Sequence, residues 1–293
     1  MVNFYKYEGT GNDFILINNL KEDINLSKDD IKTICDRRFG IGADGVILLE
    51  ESKKVDLPQQ GELKEVDLSR RSEAKADLSR LDKADCFMNY YNSDGTLAEM
   101  CGNGARCTAK FFLEQINLSK VLPYSINIDT RAGVKKVTIN EDGTLSVNMG
   151  IPNYITSDFP SEILNINDFT LHCVSMGNPH AVLEVDNLEN IDIKTIGSKI
   201  ENDFHFPNKI NVEFVEKISD EYYKVKMWER GCGETLSCGT GACAVYAIMK
   251  KLNPDIKEVT LEFSGGKLFI SENYEGEIIL RGPANFVFKG EIK

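Results

Sequence analysis

Two cysteines stand in the same five-residue setting, Cys101-Gly-Asn-Gly-Ala105 and Cys238-Gly-Thr-Gly-Ala242, separated by almost half of the 293 residues. Each follows a polar stretch with a Thr-Leu pair and precedes a run that reads as helix, Arg106–Glu114 and Cys243–Lys251. A cysteine at such a junction lies at the positive end of the helix dipole, which favours its thiolate and lowers its pKa. The glycines after it let a ligand approach the backbone. The free N–H groups of the first helical turn bind an anion, such as a carboxylate. One copy therefore offers a base beside a carboxylate cradle. Two copies facing one cleft offer an acid and a base on opposite sides of a carbon. That arrangement suits inversion of a stereocentre: a thiolate removes the proton from one face and a thiol returns one to the other. Helix starts oppose the charge that grows on the carboxylate as the carbanion forms. The bland alternative is two cysteines packed at helix starts. It is reasonable for one such motif and poor for two at half-chain spacing.

The elements that must position these turns repeat as well. Gly11-Asn12-Asp13 opens the first half, and Gly177-Asn178-Pro179-His180 sits in the second. The interval from Gly-Asn to Cys is longer in the first half, and segment 51–83 accounts for the excess. It is rich in Lys, Glu and Asp, repeats an Asp-Leu pair and has no aromatic residue. It reads as a solvated surface excursion with a short helix near 68–81. Strands are expected at Phe4–Tyr7, Phe14–Asn18, Gly45–Leu49, Cys86–Tyr91, Ser125–Thr130, Lys135–Ile139, Leu145–Asn148, Leu171–Val174, Ala181–Val185, Asn211–Val215, Tyr222–Trp228, Val259–Phe263, Lys267–Ser271 and Glu277–Gly282. One further helix is punctuated by a Leu26/Ile31 staple around Ser27, by Asp30, and by Gly40 as its close. Helices this sparse do not fit alternating βαβ units. Two mostly antiparallel α+β halves, each wrapping a helix that starts at Cys-Gly-x-Gly-Ala, fit better.

Composition narrows the function class. The chain holds 34 Lys+Arg against 46 Asp+Glu, a formal charge of −12. With no basic cluster, it is a poor partner for nucleic acid or an anionic membrane. At 42% hydrophobic and 27% charged residues it has the make-up of a folded soluble chain. No stretch approaches the roughly 18 apolar residues of a membrane span. The start, Met1–Glu8, has no signal-peptide core. A cytoplasmic enzyme acting on a small molecule is the expectation. Eight cysteines without C-x-x-C spacing, and only His172, His180 and His205, make neither a disulfide scaffold nor a zinc site. Cys35, Cys86, Cys107, Cys173 and Cys243 read as fillers. Cys232, close to Cys238, leaves a redox partnership open.

Five segments taken together resemble the diaminopimelate epimerase family: Gly9–Phe14, Asn92–Gly95, Met100–Arg106, Gly177–His180 and Glu229–Ala242. They run in the family's order and cover nearly the whole chain apart from 51–83. The resemblance implies an α+β fold of two pseudo-symmetric domains, each a barrel-like, mostly antiparallel sheet around a central helix. Residues 1–125 would form the first, joined by about 284–293 as a returning strand near Phe286–Ile292. Residues 126–283 would form the second, with the active-site cleft between them. The implied reaction is cofactor-independent interconversion of LL- and meso-2,6-diaminopimelate, toward lysine and peptidoglycan, with no metal. A homodimer is also implied.

Position by position, Cys101 and Cys238 resemble the two catalytic thiols, and His180 and Glu229 the groups that tune and place them. Substrate contacts carry over to Asn12, Asn92, Gly102, Asn103, Asn178, Asn211, Glu229, Arg230, Gly239 and Thr240. The chemistry agrees: a zwitterion at both ends needs helix-start N–H groups for one carboxylate. It also needs amides, a carboxylate and a cation such as Arg230 for the distal end. The chain departs from the family at 51–83, where most members have a short connection. Three alternatives stand beside this reading. The first is a racemase or epimerase of the same fold acting on another amino acid, although proline racemase relatives place His where Asn103 stands. The second is a cysteine-free isomerase like the phenazine-biosynthesis relatives, which both cysteines oppose. The third is a duplicated amino-acid-binding protein without turnover.

Overall fold

The structure is a computed structural model that describes residues 1–21, 23–52, 84–116, 121–166 and 168–292. Nearly all of segment 51–83, with its expected helix, lies outside the described residues.

The first half runs β1 (Val2–Gly9), β2 (Asn12–Asn18), α1 (Lys28–Cys35), β3 (Gly45–Glu50), β4 (Cys86–Asn92), α2 (Gly102–Gln115), β5 (Tyr124–Asp129), β6 (Lys135–Ile139) and β7 (Leu145–Gly150). The second begins with β8 (Ile163–Ile166), β9 (Phe169–Ser175), β10 (Pro179–Glu184), α3 (Ile193–Glu201), β11 (Asn211–Ser219) and β12 (Tyr222–Glu229). It continues with the short β13 (Gly233–Thr235), then α4 (Gly239–Leu252), β14 (Glu258–Phe263), β15 (Gly266–Glu272), β16 (Ile278–Gly282) and β17 (Asn285–Ile292).

The pairings repeat as the sequence does. In the first half β1–β2 is antiparallel, β2–β3 parallel, β3–β4 antiparallel, β4–β5 parallel, and β5–β6–β7 antiparallel. In the second, β9–β10, β10–β11, β11–β12, β12–β14 and β14–β15–β16 follow the same alternation. The outermost pairings match too, although one is local and the other spans the chain. β8, which follows β7, pairs with β9, and β17, which follows β16, returns to pair with β1. β7 and β16 pair directly and join the halves.

Each sheet curls around one helix. α2 touches all seven strands of the first half, and α4 packs on β9, β10, β11, β15 and β16. Gly102 through Ala109 are buried without interruption, as are Gly241 through Met249. A helix enclosed on all sides needs apolar or small residues all round, which α4 supplies; α2 buries Asn103 and Arg106 as well, each hydrogen-bonded. The architecture is thus α+β, two pseudo-symmetric barrel-like sheets, each around a central helix.

Three details depart from the sequence reading. The Ser27/Asp30 capping box forms, but α1 ends at Cys35, because the backbone turns extended at Asp36, with φ −61° and ψ 123°. Gly40 instead passes over that end, where a Cβ would lie 1.9 Å from the Thr33 carbonyl oxygen. Strands β8 and β13 and helix α3 were not expected. α3 carries Gly197 and three isoleucines, a weak helix signal. The glycine is needed where a Cβ would lie 2.6 Å from Trp228 Cβ.

Candidate active site

Cys101 and Cys238 are the N-caps of α2 and α4, with nearly the same backbone: φ −140°, ψ 124° and φ −136°, ψ 126°. The two first turns abut, and a Cβ at Gly239 would lie only 3.3 Å from Gly102 Cα. That approach of backbone to backbone is what the first glycine of each motif permits. Cys101 Sγ accepts from the Gly104 N–H at 3.5 Å and donates to Asn12 Oδ1 at 3.5 Å. Cys238 Sγ lies 3.3 Å from Thr240 Oγ1. Both residues are half-buried; Cys35, Cys86, Cys107, Cys173 and Cys243 are buried, and Cys232 is exposed.

The helix-start electrostatics work as expected in sign but do not win. Burial pushes the Cys101 thiol up to about 11, while the Gly104 and Asn103 N–H groups and Arg106 restrain the rise. Cys238 is raised well above the ordinary thiol value by burial and by the Glu229 carboxylate, against the pull of Thr240 and the Gly241 N–H. The expected lowering of these thiols is therefore overturned: desolvation of a sulfur anion outweighs the N–H groups of the first helical turn.

The Cys101 side is held by the first half. Asn12, the first residue of β2, donates to Asp44 Oδ2 at 2.6 Å. Asp44 and Asp13 share Arg37, whose Nη2 lies 2.7 Å from each carboxylate. Lys6 adds a contact to Asp13 at 2.8 Å. Burial works against the Asp13 charge, yet Arg37 and Lys6 outweigh it and hold the carboxyl at about 2. Asn103, fully buried, donates to Asn12 Oδ1 at 3.4 Å and to Ser237 Oγ at 3.2 Å. Ser237 Oγ in turn donates to the Thr10 carbonyl at 2.6 Å. Arg106, also fully buried, donates to Asn103 Oδ1, Thr10 Oγ1 and the Pro283 carbonyl, each at 3.0 Å.

A different set surrounds Cys238. Asn178 Nδ2 donates to Thr240 Oγ1 at 3.3 Å, and its Oδ1 faces His180 Nε2 at 3.0 Å. His180 Nδ1 lies 2.7 Å from Glu213 Oε1, and neither side chain is exposed. Glu229, at the end of β12, accepts from Thr235 Oγ1 and lies against Cys238; its carboxyl is raised by burial. Its charge is felt by both sulfurs. Asn211 bridges the Pro179 carbonyl and the Arg230 N–H, at 2.9 Å each. Glu201, from α3, accepts from the Gly231 N–H and Trp228 Nε1 and so fixes the turn that carries Glu229 and Arg230.

Of the expected residues, Asn12, Gly102, Asn103, Asn178, His180, Glu229, Gly239 and Thr240 gather at the two helix starts. Asn211 supports the turn behind them. The Asn92 and Arg230 side chains bond elsewhere, to Thr96 Oγ1 and the Asn208 carbonyl. Sequence reasoning missed Thr10, Asp44, Tyr90, Ser237 and Glu213. Tyr90 is driven well above its usual value by burial and by Cys101, Asp44 and Glu229 nearby. Glu213 had a signal: a charge inside the apolar strand run Val212-Glu213-Phe214-Val215. Among the described residues no three His, Cys, Asp or Glu side chains cluster as a metal site, and no helix is long and apolar enough to cross a membrane.

Comparison with known proteins bears on the family. The family model of diaminopimelate epimerase matches residues 4–155 and 172–287. The chain is 39% identical to the diaminopimelate epimerase of Carboxydothermus hydrogenoformans, over 98% of each chain. Among solved structures it is similar to a Bacillus anthracis phenazine biosynthesis protein of the PhzF family, with a TM-score of 0.62 at 17% identity over 100% of this chain and 99% of that one. A hydroxyproline epimerase from Agrobacterium vitis also superposes with a TM-score of 0.62, at 13% identity over 99% of this chain and 90% of that one. Those two likenesses concern the fold alone. On the family match and the full-length identity, this chain belongs to the diaminopimelate epimerase family.

Proposed function

We propose that this enzyme interconverts LL- and meso-2,6-diaminopimelate by two-base proton transfer at the α-carbon, without a cofactor, and so supplies lysine and peptidoglycan synthesis. The observation that carries this is the meeting of two cysteine-capped helix starts, Gly102 against Gly239. A substrate carboxylate seated on those N–H groups places its α-carbon between the sulfurs. One cysteine, as thiolate, takes the α-proton; the other, as thiol, returns a proton to the opposite face. For the reverse direction the roles exchange. The N–H groups oppose the charge that builds on the carboxylate in the carbanion.

The two-base reaction needs one cysteine as thiolate and the other as thiol. Groups for this differ on the two sides: Arg106 behind Cys101, His180 and Glu229 beside Cys238. Asn12, Asn103, Asn178, Thr240 and Glu229 are placed to hold the reacting end. Asn92, Asn211 and Arg230 are assigned to the distal end, with Arg230 on the distal carboxylate once it leaves Asn208. The 37–39% identical relatives named diaminopimelate epimerase favour this substrate over another amino acid. A homodimer in the cytoplasm is the expected working form.

The test is proton NMR of LL-diaminopimelate with reduced enzyme in deuterated water and no added pyridoxal phosphate. Loss of the α-proton signal with appearance of the meso isomer is expected. A folded, reduced enzyme that exchanges no α-proton of diaminopimelate, but does exchange that of another amino acid, would transfer the mechanism to that substrate.

A further inference from the structure

The duplication supplies an internal control for one buried pair. β2 and β3 are parallel with Phe14 opposite Gly45, and β10 and β11 are parallel with His180 opposite Asn211. His180 therefore occupies the place of Phe14, and Glu213 that of Ile47. The glycines above them agree. A Cβ on Gly104 would meet Ile47 Cδ1 at 3.3 Å, and one on Gly241 would meet Glu213 Oε1 at 2.7 Å. The fold thus accepts two apolar side chains at this place in one half. In the other it buries a carboxylate and an imidazole, a costly choice unless the pair has work to do. Glu213 Oε2 has no hydrogen-bond partner, so the carboxylate is spent on His180 alone among the described side chains.

We propose that Glu213 is a positioning residue that lets His180 take up a second proton, and that the His180–Asn178–Thr240 chain thereby sets the protonation of Cys238. Both ring nitrogens of His180 face oxygens, Glu213 Oε1 and Asn178 Oδ1. With Asn178 Oδ1 toward the ring, both contacts are satisfied only when each nitrogen carries a proton. Asn178 then donates its amide to Thr240 Oγ1, which leaves the Thr240 proton for the Cys238 sulfur as thiolate. With a neutral ring the chain reverses. The Asn178 amide turns over and donates to Nε2, Thr240 donates to Asn178, and Thr240 accepts from the Cys238 S–H. The two states hold the same number of protons: an S–H bond breaks and an N–H bond forms. Other charged or titratable groups near the chain are Glu229 on β12, Cys238 on α4 and Cys173 on β9. Among the described residues the matching places in the first half hold Phe14 and Ile47, and the chain leads to Cys238 rather than Cys101.

The proposal rests on the two-thiol reading for its catalytic consequence, and its test does not depend on it. Iodoacetamide alkylation of each cysteine, mapped by mass spectrometry across pH 6–9, is measured without substrate. Glu213→Gln should slow Cys238 alkylation at neutral pH at least tenfold and leave Cys101 within twofold. Glu213→Asp, which keeps the charge, should recover part of the loss. In turnover Glu213→Gln should lower kcat and leave KM nearly unchanged, since Glu213 touches no substrate. Equal slowing of both thiols would overturn the proposal in favour of a general packing role. So would an unchanged Cys238 rate in either variant, with circular dichroism showing native fold. If the alkylation pattern appears but the enzyme exchanges no α-proton, the relay stands and the assigned reaction falls.

Discussion

The contact between the two helix starts predicts an asymmetry between two chemically identical substitutions. Gly239→Ala places a methyl 3.3 Å from Gly102 Cα, 3.4 Å from Leu280 Cδ1 and 3.6 Å from Gly102 N. Two of those neighbours are backbone, so the turns must part by a few tenths of an ångström. Gly102→Ala presses its methyl on Met149 Cε and Sδ, 3.3 and 3.4 Å away, and reaches Gly239 Cα only at an ordinary contact distance of 3.7 Å. A thioether end can swing aside. Overpacking costs about 1–3 kcal/mol, and replacing glycine in a helix returns up to about 1 kcal/mol. Stability should fall by about 0–2 kcal/mol for Gly239→Ala, a few degrees in Tm. Rate should respond more. A misplacement of about 1 Å can cost about 10², so a few tenths should cost about three- to tenfold in kcat. Gly102→Ala should stay within about twofold on the same reasoning. The assay is initial-rate epimerisation alongside differential scanning calorimetry. Equal losses in the two variants, or full kcat in Gly239→Ala with a native Tm, would refute the claim that the separation of the helix starts sets the reaction geometry.

Other outcomes follow from the buried charges. Asp13 titrates at about 2 rather than 3.8. A lowered carboxylate stabilises the fold above its unfolded value and loses that effect as pH falls through the folded one. Asp13→Asn should therefore cost about 2 kcal/mol in urea unfolding at pH 7, and the difference from the parent should vanish between pH 4 and 2. Burial raises Cys101 to about 11 and Cys35 and Cys173 to about 12. Raised thiols contribute fully below their unfolded value, so Tm should hold to about pH 8.5 and fall as pH climbs toward 11–12. Arg106→Met removes the buried cation beside Cys101; Cys101 alkylation at pH 8 should slow several-fold while Cys238 keeps its rate.

Much of the fold was legible because the chain is duplicated. The repeated Cys-Gly-x-Gly-Ala and Gly-Asn turns mark equivalent points, and between them the apolar runs are strands nearly where expected. What escaped notice lacks a local signal. Four-residue β8 and three-residue β13 are held by neighbours rather than by pattern. α3 owes its place to packing on Trp228, a contact no sequence window contains. The expected division at 125/126 falls inside β5, and the pairing of β4 with β5 carries the first sheet on to Gly150. At the site, the thiols and most amides could be named from their motifs. The burial that raises both thiols could not, because desolvation depends on what covers a helix start. Ser237 and Thr10 matter only because the two halves touch there.

The central claim is that each thiol serves one face of the α-carbon. The most direct measurement is deuterium incorporation and epimerisation by Cys101→Ala and Cys238→Ala, each assayed by NMR with LL- and with meso-diaminopimelate in deuterated water. Loss of epimerisation in both variants, from either isomer and with the fold intact, is the predicted result. Retention of epimerisation by either variant at more than a few per cent of the parent rate would contradict it, because one thiol would then be reaching both faces.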